Sequence, residues 1–107
     1  MEKKRFHVAL AVRDFGEALG EYTTRLGSEP CCTVDGRYAL WRTDHVNLSI
    51  SVDPERAGAL RHVGFEDPSA PRMAMETDPN GFLWERFSEA QQDEEIRNRW
   101  PDARFRR

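Results

Sequence analysis

A strand-length apolar run followed at once by a helix-start signal constrains the fold of this chain more than any other feature. Residues 6–12 are almost wholly apolar, and Asp14 with Glu17 three residues later forms an N-terminal capping pattern. Apolar side chains then recur at helical spacing: Phe15, Ala18, Leu19, Tyr22 and Leu26. Gly27 is the residue type that ends helices. The sequence therefore predicts a strand, then a helix whose apolar face covers a sheet.

Three short strands are predicted after this helix, over residues 31–34, 37–42 and 46–52. The first two are separated by Asp35-Gly36, a strong hairpin-turn signal. In the third, apolar residues alternate with Asn47, Ser49 and Ser51, which share the opposite face. Residues 5–52 thus form a predicted strand–helix–strand–strand–strand unit.

The rest of the chain offers a shorter second half. After a connector over 53–60, strands are predicted over 60–66 and 82–87, with a turn-rich loop at 67–71 and a turn at 78–81. The interval from 63 to 84 is too short for a helix and two strands. A surface helix is predicted from Ser88 to about Asn98, followed by a frayed charged end over 102–107. We expect an α+β fold in one domain over 1–107, with parts 5–52, 60–87 and 88–107.

Composition narrows the classes of partner. A net charge of -3 on 107 residues lacks the positive field of a nucleic-acid-binding protein, and no apolar run is long enough for a membrane helix. The opening residues lead into a strand rather than a signal-peptide core. A cytoplasmic location is therefore expected. Cys31 and Cys32 are adjacent, a poor arrangement for a disulfide, so reduced thiols are expected as well. Hydrophobic residues at 38% and charged residues at 33% suggest one thin core, which dimerisation would supplement.

His7, His62 and Glu85 are the residues that most suggest chemistry. Each lies near the middle of a predicted strand, and two imidazoles with one carboxylate can hold a divalent metal while leaving coordination positions open. Taken singly, each has an ordinary explanation as a solvated polar residue, and no compact two-histidine motif is present. The spacing alone therefore allows two interpretations: a metal site, or three unrelated residues on the surface.

Four segments resemble the vicinal oxygen chelate superfamily, which includes glyoxalases, bleomycin-resistance proteins and extradiol dioxygenases. They are residues 6–15, 21–27, 60–65 and 77–85, and the resemblance spans about residues 5–87. Residues 35–39 and 47–51 look most similar to the cadmium-induced and organoarsenical-lyase type. The adjacent cysteines of that type lie later in the chain, so no soft-metal role follows for Cys31 and Cys32.

The resemblance implies a βαβββ module followed by an abbreviated second module. It implies that His7, His62 and Glu85 are the ligands of a divalent metal, with Fe(II) first and Mn(II), Ni(II) or Zn(II) as alternatives. The protein would then be a metal-dependent lyase or dioxygenase that binds a small molecule through vicinal oxygens. The residues expected to line its substrate pocket are Tyr38, Trp41, Asn47, Ser49 and Trp84.

A metal-free binding protein of the bleomycin-resistance kind is the competing interpretation. The triad favours the enzyme, because a sequestering protein has no need of two histidines and a glutamate at these positions. The shortened second half favours the binder. Either protein would act on a small molecule, and we expect a homodimer because the short half leaves strand edges uncovered.

Overall fold

The computed structural model describes residues 3–106, so Met1, Glu2 and Arg107 lie outside the described part of the predicted domain and tail. Within it, eight strands form one mixed sheet with two α-helices, an α+β arrangement. The elements are β1 Arg5–Val12, α1 Phe15–Leu26, β2 Cys32–Val34, β3 Tyr38–Arg42, β4 Val46–Val52, β5 Leu60–Glu66, β6 Ala74–Thr77, β7 Leu83–Phe87, α2 Glu89–Arg99 and β8 Arg104–Phe105, with a short 3₁₀ turn at Pro54–Arg56. Neither α-helix combines the length and apolar character needed to cross a membrane.

The sheet brings the three candidate ligand strands together. Its order is β6-β7-β5-β1-β4-β3-β2-β8, with β1 parallel to β4 and antiparallel to β5, and β5 parallel to β7. In this register Glu85 lies opposite Gly64, Gly64 opposite His7, and His7 opposite Asn47. These four residues form one row across the sheet, and paired residues present their side chains on the same face.

Helix α1 covers the face opposite that row. Its ends are those predicted: the Asp14 carboxylate accepts a hydrogen bond from the Glu17 amide at 2.8 Å, and Gly27 takes a left-handed φ of 66°. On that face, Ala18 of the helix packs with Val12, Ala39, Trp41 and Ile50 of the sheet. The helix therefore buries the apolar face of β1, β3 and β4 and leaves the polar face for other contacts.

Helix α2 packs on the polar face. Ser88 and Gln91 form a capping box at its start, and Ile96 packs against an apolar cluster of Cys32, Val34, Tyr38 and Leu40. The predicted helix is confirmed, with its end one residue later than expected. Because α2 crosses the sheet, it brings polar side chains of its own to the row that contains His7.

The structure corrects the prediction of a frayed end beyond Pro101. Strand β8 pairs with β2, the Arg106 amide donates to the Cys31 carbonyl at 2.8 Å, and Trp100 stacks on Tyr38 with ring centroids 4.8 Å apart. A two-residue strand has no periodicity to detect in a charged sequence, and its pairing depends on a distant β2. The described tail is an edge strand of the sheet.

The second half gains a strand that the sequence did not predict. Strand β6 is exposed throughout and pairs with β7 at the edge of the sheet. No helix lies between β5 and β7 in the described chain, so the aromatic residues Phe6 and Phe65 remain 39% exposed. The predicted strands starting at 31, 37 and 82 each begin one residue later.

Candidate metal centre

His7, His62 and Glu85 converge on one point of the polar face. The two histidine Nε2 atoms are 3.0 Å apart, His62 Nε2 is 3.1 Å from Glu85 Oε1, and His7 Nε2 is 3.8 Å from the same oxygen. The side chains are 2%, 14% and 12% exposed respectively. The structure thus brings together all three residues that the sequence singled out as ligands.

This spacing fits the donors of a facial three-ligand site. Donors about 2.1 Å from a metal and at right angles to one another stand about 3.0 Å apart. Two of the three observed separations match that value, and the third is wider. Two imidazole nitrogens and one carboxylate oxygen suit a borderline divalent ion. The donor set fits a divalent metal with further positions open.

Asn47 fixes the orientation of the His7 ring. The Asn47 side-chain oxygen lies 2.8 Å from His7 Nδ1, and the backbone oxygen lies 3.1 Å away. Both are acceptors, so Nδ1 carries the proton and Nε2 presents its lone pair to the site. Burial, the largest cause, lowers the pKa of His7, which keeps the ring neutral at physiological pH. A neutral ring is the form that binds a metal.

A buried polar network holds Asn47 in turn. Its amide nitrogen donates to Glu66 Oε1 at 2.8 Å and to Gln92 Oε1 at 2.7 Å. Arg42 donates from Nε to Glu66 at 3.1 Å and from a terminal nitrogen to Gln92 at 2.8 Å. With donors and acceptors matched on every side, the amide has one favourable orientation. Helix α2 thus takes part in orienting His7.

Glu85 is held as a carboxylate. Burial alone would raise the pKa of Glu85, but the hydrogen bond from His62 and the charges of His62, His7 and Arg61 bring it below its usual value. Its strand also lies unusually close to β5: a Cβ at Gly64 would stand 1.9 Å from the Glu85 carbonyl oxygen. Only glycine permits this approach of the two backbones.

A cleft of about 380 Å³ opens above the triad. The predicted pocket residues Tyr38 and Ser49 line it, together with others that the sequence analysis did not select, among them Ser51, Arg61, Met75, Gln92, Glu95 and Arg99. Burial, the largest cause, raises the pKa of Tyr38, so its hydroxyl stays neutral and can hydrogen bond. A second cleft of about 520 Å³ beside α1 contains no histidine or cysteine.

Three residues predicted for the pocket lie elsewhere. Trp41 is fully buried under α1, because its pairing with Leu48 places it on the apolar face. Trp84 neighbours Glu85 on the same strand and therefore points to the opposite face, where its indole nitrogen donates to Asp78 at 2.9 Å. Asn47 is on the correct face but completely buried, so it positions His7 instead of contacting a ligand.

Helix α2 supplies the pocket residues that sequence reasoning missed. Gln92, Glu95 and Arg99 recur at intervals of three and four, so they share one helix face with Ile96. Burial and the nearby Glu85 charge raise the pKa of Glu95. The sequence shows that these residues share one helix face. It does not show that this face contacts the sheet, because charged residues occur on every side of the helix.

Cys31 and Cys32 do not line this cleft. Both are free thiols, and Cys32 packs beside Leu40 and Ile96. Burial, with a smaller effect of Cys31, raises the pKa of Cys32 to about 12. A neutral buried thiol is a poor metal ligand, which agrees with leaving the pair out of the candidate site.

Comparisons with known proteins bear on the fold only. No family model and no curated protein matches this chain. Among solved structures, it is similar to a chain in the crystal structure of an NAD-dependent benzaldehyde dehydrogenase from Legionella pneumophila, with 12% identity and a TM-score of 0.53. The match covers 78% of this chain and 97% of that one. At such low identity, the similarity concerns the course of the backbone and not the chemistry.

Proposed function

We propose that this chain is a metal-dependent protein of the vicinal oxygen chelate type, acting on a small molecule as a lyase or dioxygenase. The observation that carries the proposal is the convergence of His7 Nε2, His62 Nε2 and Glu85 Oε1 within 3.8 Å. The order strand–helix–three strands over 5–52 and the adjacency of β1, β5 and β7 support the assignment to this type, with a shortened second module.

Each residue of the site has a defined task in this proposal. A bound divalent ion, with Fe(II) first and Mn(II), Ni(II) or Zn(II) as alternatives, would act as a Lewis acid toward two adjacent ligand oxygens. His7 and His62 would hold it through neutral nitrogens, and Glu85 would contribute one negative charge. Tyr38 and Ser49 place hydroxyls in the wall of the cleft, and α2 contributes Gln92, Glu95 and Arg99 to it.

The competing function is a metal-free small-molecule binder of the bleomycin-resistance kind. One observation favours it: His62 Nε2 lies within hydrogen-bonding distance of both His7 Nε2 and Glu85 Oε1. A proton on His62 Nε2 would link the three groups without any ion, and the cleft above them would still receive a ligand. The two functions differ in whether metal and ligand bind together.

Metal loading separates these functions. The protein is purified, loaded anaerobically with Fe(II), Mn(II), Ni(II) or Zn(II), and analysed for metal content beside a His62→Ala variant. The proposal predicts one ion per chain in the wild type and loss of that ion in the variant. No binding by the wild type, or equal binding by a folded variant, would leave the metal-free binder as the better account.

A homodimer is part of the proposal. Strand β6 presents an unpaired edge, and Phe6 and Phe65 are exposed where a second-module helix would lie. A second copy can cover both features in a two-fold arrangement. Size-exclusion chromatography with light scattering should give twice the chain mass of 12.4 kDa. A monomer at micromolar concentration would contradict it.

A further inference from the structure

A β-bulge beside the candidate metal centre changes the direction of one arginine. In the pairing of β1 with β5, Ala9 lies opposite His62 and Leu10 lies opposite Leu60, with an irregularity between them. Arg61 is therefore an extra residue in its strand. An ordinary strand would point Arg61 to the face opposite His62, whereas a bulge lets neighbouring side chains share a face.

The Arg61 side chain reaches across the cleft floor. A terminal nitrogen donates to Ser51 Oγ at 3.1 Å, and to reach Ser51 on β4 the side chain spans β1. The β1 residue paired with Ser51 is Ala11, whose small side chain is buried. Arg61 therefore lies over the same face as His62 and is held by a neutral hydroxyl.

Among residues 3–106 no carboxylate forms a salt bridge with Arg61, although its charge is near enough to help lower the pKa of Glu85. Of the other charged residues in the cleft, Arg99 and Glu95 lie one helical turn apart on α2 and offset each other, while Glu85 faces the histidines. With a divalent ion on the triad, the cleft would carry a net positive charge. Such a site attracts anions.

We propose that Arg61 binds an anionic group of the ligand, and that the ligand is a small carboxylate presenting two adjacent oxygens to the metal, such as a 2-oxo acid. This inference rests on the metal site proposed above. A planar guanidinium can donate two hydrogen bonds to one carboxylate, which suits recognition of the carboxylate end of such a molecule. The Ser51 hydroxyl holds the guanidinium in place by a hydrogen bond and, being neutral, leaves its positive charge available to the ligand.

The test compares a charged ligand with its neutral counterpart. Mn(II)-loaded protein is titrated with pyruvate and with pyruvamide by calorimetry, and metal content is measured in the same samples. The wild type should bind pyruvate more tightly by more than about 10-fold, because the carboxylate gains both a charged hydrogen bond from Arg61 and a stronger contact with the metal than an amide makes. In Arg61→Met the preference should fall by on the order of 10-fold while one Mn(II) per chain is retained.

A matched control is Arg25→Met, which removes an exposed arginine from α1 on the other face of the sheet and should keep the full preference. Equal binding of the two ligands by the metal-loaded wild type, or a preference unchanged in Arg61→Met, would overturn the inference and leave the metal site intact. Absence of Mn(II) from the wild type would instead overturn the proposed function, and this inference with it.

Discussion

His7 Nδ1 and Asn47 Oδ1 stand 2.8 Å apart across two parallel strands, so a buried amide sets the direction of one candidate metal ligand. The amide has no freedom to reverse, because its nitrogen donates to Glu66 and Gln92. A polar network that begins on α2 therefore ends at His7 Nδ1 and sets the direction of Nε2, which faces the site. The site depends on this network as well as on the three ligands.

Asn47→Leu should lower metal affinity by roughly 10- to 100-fold, the usual effect of removing the partner that orients a histidine ligand. It removes the nearer acceptor of Nδ1 and leaves only the backbone oxygen at 3.1 Å, so the ring is held less firmly. Calorimetric titration with Zn(II) measures the change. Ser49→Ala, which alters the same strand face without touching His7, is the control and should retain the wild-type affinity. Equal losses in the two variants would contradict this role of Asn47.

Gly64→Ala should destabilise the fold by about 1–3 kcal/mol, the usual cost of overpacking, because its Cβ would overlap the Glu85 backbone. Displacement of β7 should also weaken metal binding. Gly20→Ala is the matched control: a Cβ there meets no atom within 4 Å, and alanine in a helix should stabilise by about 0.5–1 kcal/mol. Urea unfolding measures both. If Gly64→Ala left the free energy of unfolding unchanged, β5 and β7 would not need this close approach.

Arg42→Met should cost about 1.5–3 kcal/mol, because it removes charged hydrogen bonds to Glu66 and Asp93, while Arg5 still pairs with Glu66. Arg42 is 10% exposed and pairs with Glu66 at 3.1 Å and Asp93 at 2.8 Å, linking the sheet to α2. The exposed pair of Arg37 with Asp102 offers a control, and Arg37→Met should cost less than about 1 kcal/mol. Thermal and urea unfolding distinguish the two. Similar small losses would mean that α2 is held by Ile96 and its apolar contacts alone.

The metal-free protein should lose stability as pH falls below the ordinary histidine value of 6.5. Burial lowers the pKa of His7 in the folded chain, so the unfolded chain takes up this proton first and is favoured by acid. The stability that neutral His7 contributes is fully present above pH 6.5. It declines as the pH falls from 6.5 toward the lowered pKa of His7 in the folded chain. Urea unfolding from pH 7.5 to 5.5 should show this slope, and a His7→Gln variant should lack it. A slope that persists in the variant would assign the effect to other groups.

Local patterns predicted the first half of the fold well. The bounds of α1 and β4 follow from capping residues and from strict alternation, which depend on neighbours in sequence. Strands β6 and β8 were missed because each is short and gains stability from a partner far along the chain. Such pairing leaves almost no trace in local composition.

The resemblance predicted the three metal ligands, whereas the residues that line the pocket could be predicted only in part. Alternation along β7 already places Trp84 opposite Glu85, so its removal from the pocket follows from the sequence once that rule is applied. The pocket residues on α2 could not be predicted, because the charged sequence of the helix does not show which face meets the sheet. The role of Arg61 could not be predicted either, since its direction results from a bulge that only the register of β1 and β5 shows.

The most direct test of the metal centre is a Co(II) titration followed by visible absorption, with Glu85→Gln and Glu76→Gln compared with the wild type. Glu76 is an exposed glutamate on the neighbouring edge strand and serves as the matched control. The account predicts saturation at one Co(II) per chain in the wild type and in Glu76→Gln, and strongly weakened binding in Glu85→Gln. No saturable spectrum in the wild type, or an unchanged titration in Glu85→Gln, would contradict a metal centre at His7, His62 and Glu85.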